Sequence, residues 1–367
     1  MRVALIETSA PDAPGSMRRY ANLIEQAFAE DSAIEITRLS VAPSRAALKR
    51  IPKKFQNWGH HALVTWNTRR ICQPGIDLFH IVDGSHAYIA KWLPGERTIA
   101  TAHDIIPYLQ SQGRFPVPAP GRLARWLINS GLKGLGRVAE VSADSQSTAN
   151  DLKEHLPAST ALSVCPLTIE PSFLTNANLN PRGTKARPFL FHIGNNGFYK
   201  NRAGVIDVFA RLRRDTDCDL VLAGPAPLPG LRQQIQHHGL TEHVTFLVDP
   251  DDSSLAQLYR EASLLLFPSV YEGFGWPPLE AMAMGCPVVC SDAASLPEVA
   301  GDAALTSPHN DLDQLAHHCR RILTDTATAS DLQRRGRTQA ESFSLPRFHD
   351  QLAEIYQRVH TAAGGSE

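Results

Sequence analysis

One run constrains this chain more than any other: Tyr271-Glu272-Gly273-Phe274-Gly275-Trp276-Pro277-Pro278-Leu279-Glu280, continuing through Gly285-Cys286-Pro287-Val288-Val289. The apolar residues Leu264 to Phe267 lead into it and read as a buried parallel strand. Pro268 and Ser269 end that strand, and Glu272 opens a glycine-rich turn. Gly273 and Gly275 let backbone approach a ligand with no Cβ in the way. Pro277 and Pro278 suit the first turn of a helix, where a missing N–H costs little. Gly285 ends the helix and Pro287 starts the next strand. The segment therefore carries two carboxylates and several free N–H groups to the C-terminal edge of a sheet. In α/β proteins that edge receives ligands, and a helix start favours anions such as phosphate. A lone Glu-Gly-x-Gly would be an ordinary loop with a capping acid. The length of this run, with its paired acids and prolines, argues for a built site.

The stretch from Leu258 to Ala304 resembles the nucleotide-binding half of the retaining GT-B glycosyltransferases, specifically glycosyltransferase family 4. The hallmark of that family is two glutamates with seven residues between them, in a Glu-Gly-Phe-Gly-x-Pro context. Glu272 and Glu280 match without a gap, and the likeness continues through Ser291 to Glu298 and Gly301. The resemblance implies an α/β fold of GT-B architecture: two Rossmann-like domains facing across a cleft, with a C-terminal helix returning to the first. The corresponding boundaries are residues 1–166 plus 346–362 for the acceptor-side domain, 167–187 for the linker and 188–345 for the nucleotide-sugar domain.

Composition narrows the alternatives. The length of 367 residues fits two domains. The formal net charge of −1 argues against a dedicated nucleic-acid binder. Cys72, Cys165, Cys218, Cys286, Cys290 and Cys319 form no C-x-x-C pair, which speaks against a metal or disulfide framework and suits a reducing cytoplasm. No run approaches the roughly 18 apolar residues of a membrane span, and the apolar start is too short for a signal peptide.

In the first half, Arg2 to Glu7 reads as a strand and Ser9 to Ser16 as a loop with Pro11 and Pro14. A helix is expected from about Met17 to Ala29. The family's equivalent loop meets the donor diphosphate, a role that passes to Gly15 and Ser16, although this chain has one glycine where the family often has two. From Thr37 to Ile76 there is no acidic residue, while Arg38, Arg45, Lys49, Arg50, Lys53, Lys54, Arg69 and Arg70 are interleaved with Phe55, Trp58, Val64 and Trp66. A second basic and apolar segment runs from Arg114 to Arg137. Two readings stand: a solvated basic face with its aromatics in the core, or contact of segments 37–76 and 114–137 with an anionic membrane surface. Arg97 to Ala102 reads as a strand that runs into His103-Asp104. The resemblance puts His103 on the acceptor side of the reaction centre, with Asp104 orienting the loop. Asp144, Ser145, Ser147 and Thr148 read as a helix-capping cluster. Leu167 to Arg187, rich in Asn, Pro and Gly, reads as the linker.

The second half opens with the strand Phe189 to Gly194, then Asn195-Asn196-Gly197 and Lys200-Asn201-Arg202 before a helix. A glycine turn with a lysine at a helix start suits a diphosphate. Gly194, Lys200 and Asn201 match the family's G-x-x-x-x-R-K-N in register. Tyr199 replaces its arginine, and Arg202 is the candidate to deliver the second charge. After the strand Val244 to Val248 the family's backbone meets the nucleotide base; Val248 stands at the usual glycine.

The resemblance thus implies a metal-independent retaining hexosyltransferase with no cofactor beyond its nucleotide-sugar co-substrate. Glu272, His103 and Lys200 would serve the reaction centre. Gly15, Gly194, Asn195, Asn201, Arg202, Val248, Gly273, Phe274, Gly275 and Glu280 would hold the donor, Glu280 through the ribose hydroxyls. GDP-mannose is the first candidate donor, with UDP-glucose or UDP-N-acetylglucosamine as alternatives. The acceptor would be a glycan or a lipid-linked sugar, and the place of action the cytoplasm or the inner membrane face. A GT-B sugar-nucleotide epimerase and a non-catalytic nucleotide-sugar-binding protein are the other classes. A dehydrogenase is disfavoured, because no G-x-G-x-x-G follows the first strand.

Overall fold

A computed structural model describes residues 1–9, 15–71, 75–177 and 187–365. Pro11, Pro14 and Cys72, singled out above, and residues 178–186 of the stretch read as a linker lie outside the described residues. The chain divides into two compact units, Met1–Leu167 with Leu345–Glu367, and Thr168–Ser344.

The first unit holds six strands: β1 (Arg2–Glu7), β2 (Glu35–Ser40), β3 (Leu78–Ile81), β4 (Thr98–Ala102), β5 (Glu140–Ala143) and β6 (Ala161–Val164). They form one sheet in the order β2-β1-β3-β4-β5-β6, and every neighbouring pair is parallel. The strands are near-continuous apolar runs because helices cover both faces of a parallel sheet; Val3, Ala4, Leu5 and Ile6 are fully buried. The C-terminal helix Leu345–Ala362 belongs to this unit and buries Phe348, Leu352, Ile355, Tyr356 and Val359. A polar chain anchors it: Tyr356 OH lies 2.7 Å from His80 Nδ1, His80 Nε2 2.7 Å from Thr101 Oγ1, and Thr101 Oγ1 2.8 Å from Tyr20 OH. Burial pushes His80 down to about 3, so its neutral ring can serve as both donor and acceptor.

The second unit repeats the plan with β7 (Phe189–Ile193), β8 (Asp219–Gly224), β9 (Val244–Val248), β10 (Leu264–Phe267), β11 (Val288–Ser291) and β12 (Ala304–Ser307). Their order is β12-β11-β10-β7-β8-β9, again parallel throughout. The chain winds outward from β7 to β9, then crosses back and winds the other way from β10. The boundary between β7 and β10 is a topological switch point, where loops at the carboxyl ends diverge and leave a crevice.

Two sequence expectations are corrected by the fold. The segment read as a linker contains a helix, Pro171–Ala177, whose Phe173 is buried against Tyr259 with ring centroids 6.2 Å apart. One well-placed aromatic outweighs the surrounding loop-forming residues. The basic stretch 37–76 is also not uniformly solvated. Arg38 lies in β2 and pairs with Glu7 at 2.5 Å and Glu25 at 3.2 Å. The stretch includes the helix Gln56–Thr68, where Val64 is buried but Trp66 is half exposed. Among the described residues no helix is long and apolar enough to cross a membrane.

Candidate functional site

In the second unit, the loops after β7 and β10 meet at the switch point. Lys200 Nζ donates to both carboxylate oxygens of Glu272, at 2.8 and 2.9 Å, and both side chains are largely buried. A backbone bond from Val270 N to Tyr199 O at 2.7 Å ties the two loops side by side. The glycines are used where backbones crowd. A Cβ on Gly194 would stand 3.1 Å from Lys200 Cβ, and one on Gly224 would strike the Gly194 carbonyl oxygen at 2.4 Å.

Asn195 and Asn201 build the loop. Asn195 accepts from Gly197 N at 2.8 Å and donates to Tyr199 OH at 2.7 Å. Asn201 adopts a left-handed backbone (φ 50°), accepts from Gly204 N to cap the helix Arg202–Leu212, and donates to Pro268 O at 2.9 Å. Its amide is spent on structure, so what it offers a ligand is the position of its neighbours. Arg202 is engaged through one nitrogen, its Nε and Nη2 being buried without a protein partner. Its Nη1 donates to Asn196 Oδ1 at 2.7 Å and to Pro225 O at 3.1 Å, the group is buried, and burial lowers its pKa. It braces the loops after β7 and β8.

The Glu272–Gly275 turn is held from below by Ser295. Its hydroxyl lies 2.9 Å from the Glu272 carbonyl oxygen and 2.6 Å from that of Phe274. Sequence reasoning missed Ser295, because a lone serine between Ala294 and Leu296 carries no signal. Gly275 caps the helix Trp276–Ala283 with φ 116°, and a Cβ there would meet Leu296 Cδ2 at 3.0 Å. Phe274 packs edge-on against Phe343, with centroids 5.7 Å apart. Glu280 is buried in that helix and accepts from Tyr259 OH at 2.8 Å. Val248 ends β9 half exposed, but the left-handed residue of this turn is Asp249 (φ 46°). An aspartate tolerates that conformation better than a β-branched residue does.

Beneath the loop lies His192. Its Nδ1 sits 2.9 Å from Leu266 O, its Nε2 is buried without a partner, and burial pushes it down to about 3. The neutral ring links β7 to β10 through Nδ1–H, leaving the other nitrogen as a bare acceptor.

In the first unit Gly15, exposed with φ 154°, precedes the helix Ser16–Ala27. His103 follows β4, and both of its ring nitrogens are engaged: Nδ1 lies 2.6 Å from Asp144 Oδ2 and Nε2 2.8 Å from Val82 O. Burial alone would lower the pKa of this imidazole. The Asp144 charge and hydrogen bond, with the Val82 carbonyl, outweigh it and raise it to about 9. Burial raises Asp144 in turn, partly offset by the imidazolium, so the two groups hold one proton between them. His103 is thus tied through both ring nitrogens, one to the Asp144 carboxylate and one to the Val82 carbonyl. Its partner is Asp144, which had been read as a capping residue. Ser145 supplies that cap, accepting from Thr148 N at 3.1 Å. Asp104 accepts from Ile106 N at 2.9 Å at the start of the helix Ile106–Ser111, the loop-orienting role expected of it.

The basic segments expose aromatics. Phe55, Trp66 and Trp126 are each about half exposed, Arg70 lies over the Trp66 ring at 4.5 Å, and Arg69 lies over Trp92 at 3.7 Å. The core reading therefore fails for these rings. Arg114 is paired with Asp151 at 2.5 Å.

Residues 179–339 match the family model of glycosyl transferases group 1. The chain is 34 % identical over 177 residues to an O-antigen chain mannosyltransferase B of Escherichia coli, covering 46 % of this chain and 45 % of the relative. It is 28 % identical over 266 residues to the serotype-specific mannosyltransferase WbdA of Escherichia coli, covering 68 % of this chain and 32 % of the relative. The chain thus spans less than half the length of these curated relatives. Among solved structures it superposes on a sucrose-phosphate synthase from Thermosynechococcus elongatus with a TM-score of 0.80 at 20 % identity, covering 98 % and 99 % of the two chains. The lipopolysaccharide glycosyltransferase WaaG gives 0.73 at 17 %, covering 97 % and 99 %. These last two likenesses show the fold: two six-stranded parallel sheets with helices, the GT-B architecture.

Proposed function

We propose that this chain, whose residues 179–339 match the glycosyl transferases group 1 model, moves a hexose from a nucleoside-diphosphate sugar to a glycan or lipid-linked acceptor in surface polysaccharide or glycolipid assembly. The observation that carries this reading is the meeting of Lys200 and Glu272 at the β7/β10 switch point.

Lys200 and the starts of the helices Arg202–Leu212 and Trp276–Ala283 neutralise the donor diphosphate without a metal ion. Gly194 leaves room for the phosphates, and Asn195 and Asn201 hold the loop in shape. Glu280 takes the ribose hydroxyls, and the backbone beyond Val248 faces the base. Glu272 and the N–H groups of Gly273, Phe274 and Gly275 take hydroxyls of the transferred sugar. When the diphosphate arrives it competes with Glu272 for the Lys200 ammonium, and the carboxylate is released toward the sugar. Configuration is retained by front-face attack. The bond from the anomeric carbon to the phosphate oxygen breaks, the bond to the acceptor oxygen forms, and the acceptor proton passes to the leaving phosphate. The two relatives named as mannosyltransferases favour GDP-mannose as donor.

Exposed Phe55, Trp66 and Trp126 among basic side chains support contact with an anionic membrane surface through segments 37–76 and 114–137. This would place the enzyme on the inner face of the membrane. Vesicle co-sedimentation tests it: binding should need anionic lipid and fall when Trp66 and Trp126 are changed to Ser.

The donor assignment is tested by thermal shift with GDP, UDP, ADP and their sugar conjugates, without added metal. A ligand selective for the folded state raises the melting point with ln(1 + [L]/Kd). A shift confined to guanine ligands supports GDP-mannose, and a uridine-only shift moves the donor to UDP-glucose or UDP-N-acetylglucosamine. No shift with any of them overturns the transferase reading.

A further inference from the structure

The chain passes between its two units twice, at Leu167–Thr168 and at Ser344–Leu345. Connections between units ordinarily run exposed and make few contacts. The stretch after the first passage does the opposite. Thr168 is 3 % exposed, Ile169 5 %, Glu170 4 % and Phe173 1 %. It packs against the supports of Glu272 and Glu280.

The first support is the Glu272–Gly275 turn. Trp276, next in the chain, donates its indole N–H to the Thr168 carbonyl oxygen at 2.9 Å. The Thr168 hydroxyl donates to the carbonyl oxygen of Phe343, which stands just before the second passage. The Phe343 ring returns to the turn, edge-on to Phe274 with centroids 5.7 Å apart. Thr168, Phe343, Phe274 and Trp276 thus close a circuit of contacts that includes both passages and lies wholly within the second unit. The second support is Tyr259. Phe173 meets it edge-on at 6.2 Å, and Tyr259 OH donates to Glu280 Oε2 at 2.8 Å. The Glu272 turn is therefore braced through Trp276, and Glu280 through Tyr259, on the segment that follows the first passage.

A buried tryptophan N–H needs an acceptor, and any nearby carbonyl would serve. Here the acceptor is the first residue of the unit, which itself grips the chain at its exit. A ligand that fixes the turn therefore also fixes the passages, and by linkage stiff passages favour the ligand.

We propose that Trp276 is a positioning residue that couples occupancy of the Glu272–Gly275 turn by the transferred sugar to the rigidity of both passages. The identity of the occupant rests on the transferase reading; the coupling is argued from contacts within the second unit alone.

Hydrogen-exchange mass spectrometry on the full chain tests this, first without ligand. Trp276→Phe keeps an aromatic ring and removes the N–H. Exchange should quicken about three- to tenfold, the size of one lost hydrogen bond, in peptides covering residues 166–170 and 271–275. Thr168→Val keeps the carbonyl, removes the hydroxyl and should quicken peptides covering residues 341–346. Peptides from β8 and β9 should exchange as in the wild type, which certifies the fold. GDP-mannose and UDP-glucose are then added as probes, each beside its bare nucleoside diphosphate. In the wild type one sugar nucleotide should protect both passages more than GDP or UDP alone does, because only the sugar reaches the turn. Trp276→Phe should abolish that excess, a loss that a purely structural role would spread over both ligands. Unchanged exchange at residues 166–170 in ligand-free Trp276→Phe, or equal protection by sugar nucleotide and bare nucleotide in the wild type, overturns the proposal. If no nucleotide or sugar nucleotide shifts the melting point, the donor reading falls by itself, and the ligand-free exchange decides whether turn and passages are joined.

Discussion

Lys200 Nζ and the Glu272 carboxylate form a two-point ion pair, at 2.8 and 2.9 Å, between loops separated by 72 positions in the chain. Under the proposed reading Lys200 serves an anion and Glu272 a sugar, and the pair holds both side chains in place. Each compensates the other's charge, since a buried charge left alone is costly.

Breaking this pair should therefore show in stability as well as activity. Lys200→Ala strands a carboxylate that is 9 % exposed and should cost roughly 3 kcal/mol, near the lower end for broken buried pairs. The double variant Lys200→Ala, Glu272→Ala should cost less than the sum of the two singles. Urea unfolding of all four proteins gives the coupling. Transfer by Glu272→Ala should be lost while its fold is kept, and wild-type rates in that variant would remove Glu272 from the reaction centre.

Ser295 is the support of the Glu272 turn. Ser295→Ala removes the hydroxyl shared by two buried carbonyl oxygens and should destabilise the second unit by about 1–2 kcal/mol. Its effect on turnover should be mainly a raised KM for the donor, read from initial rates at saturating acceptor.

Gly275→Ala should be worse than a typical glycine substitution. It places a Cβ at φ 116° and 3.0 Å from Leu296 Cδ2. A loss of roughly 1–3 kcal/mol is expected from backbone strain alone, measurable as a fall in Tm.

Alkaline stability should report His103. Its pKa is raised from the ordinary 6.5 to about 9. Its contribution is therefore fully present below pH 6.5 and is lost as pH rises through about 9. The ceiling is roughly 3 kcal/mol, from the pKa displacement at 1.36 kcal/mol per unit. Asp144→Asn should flatten the stability curve between pH 6.5 and 9, and an unchanged slope would show that the pair does not hold the proton.

Acid stability should report the buried neutral rings. His80 and His192 are both lowered to about 3, so the unfolded chain binds their protons first as pH falls below 6.5, and stability declines from there. Tyr356→Phe leaves His80 Nδ1 without its partner and should loosen the C-terminal helix by about 1–2 kcal/mol, seen as faster amide exchange along Leu345–Ala362.

Much of this protein could be read from its residues in order. Apolar runs bounded by glycine and proline mark parallel strands, because a strand covered on both faces has no polar side to alternate. The run from Leu264 to Glu280 fixes a strand, a turn and a helix start locally, so it is legible wherever it occurs. The pairings were not legible. Nothing between Lys200 and Glu272, or between His103 and Asp144, signals that they touch, since sheet order brings each pair together across the fold. Ser295 became significant only through what surrounds it, and the burial of Arg202 between Asn196 and the Pro225 carbonyl could not be read from its position in the chain. Sequence by itself determined the elements and their chemistry, because these rest on local propensity and spacing. The tertiary structure decided which charges are paired, which histidines hold a proton and which rings are left in water, because burial and electrostatics depend on distances that the order of residues does not contain.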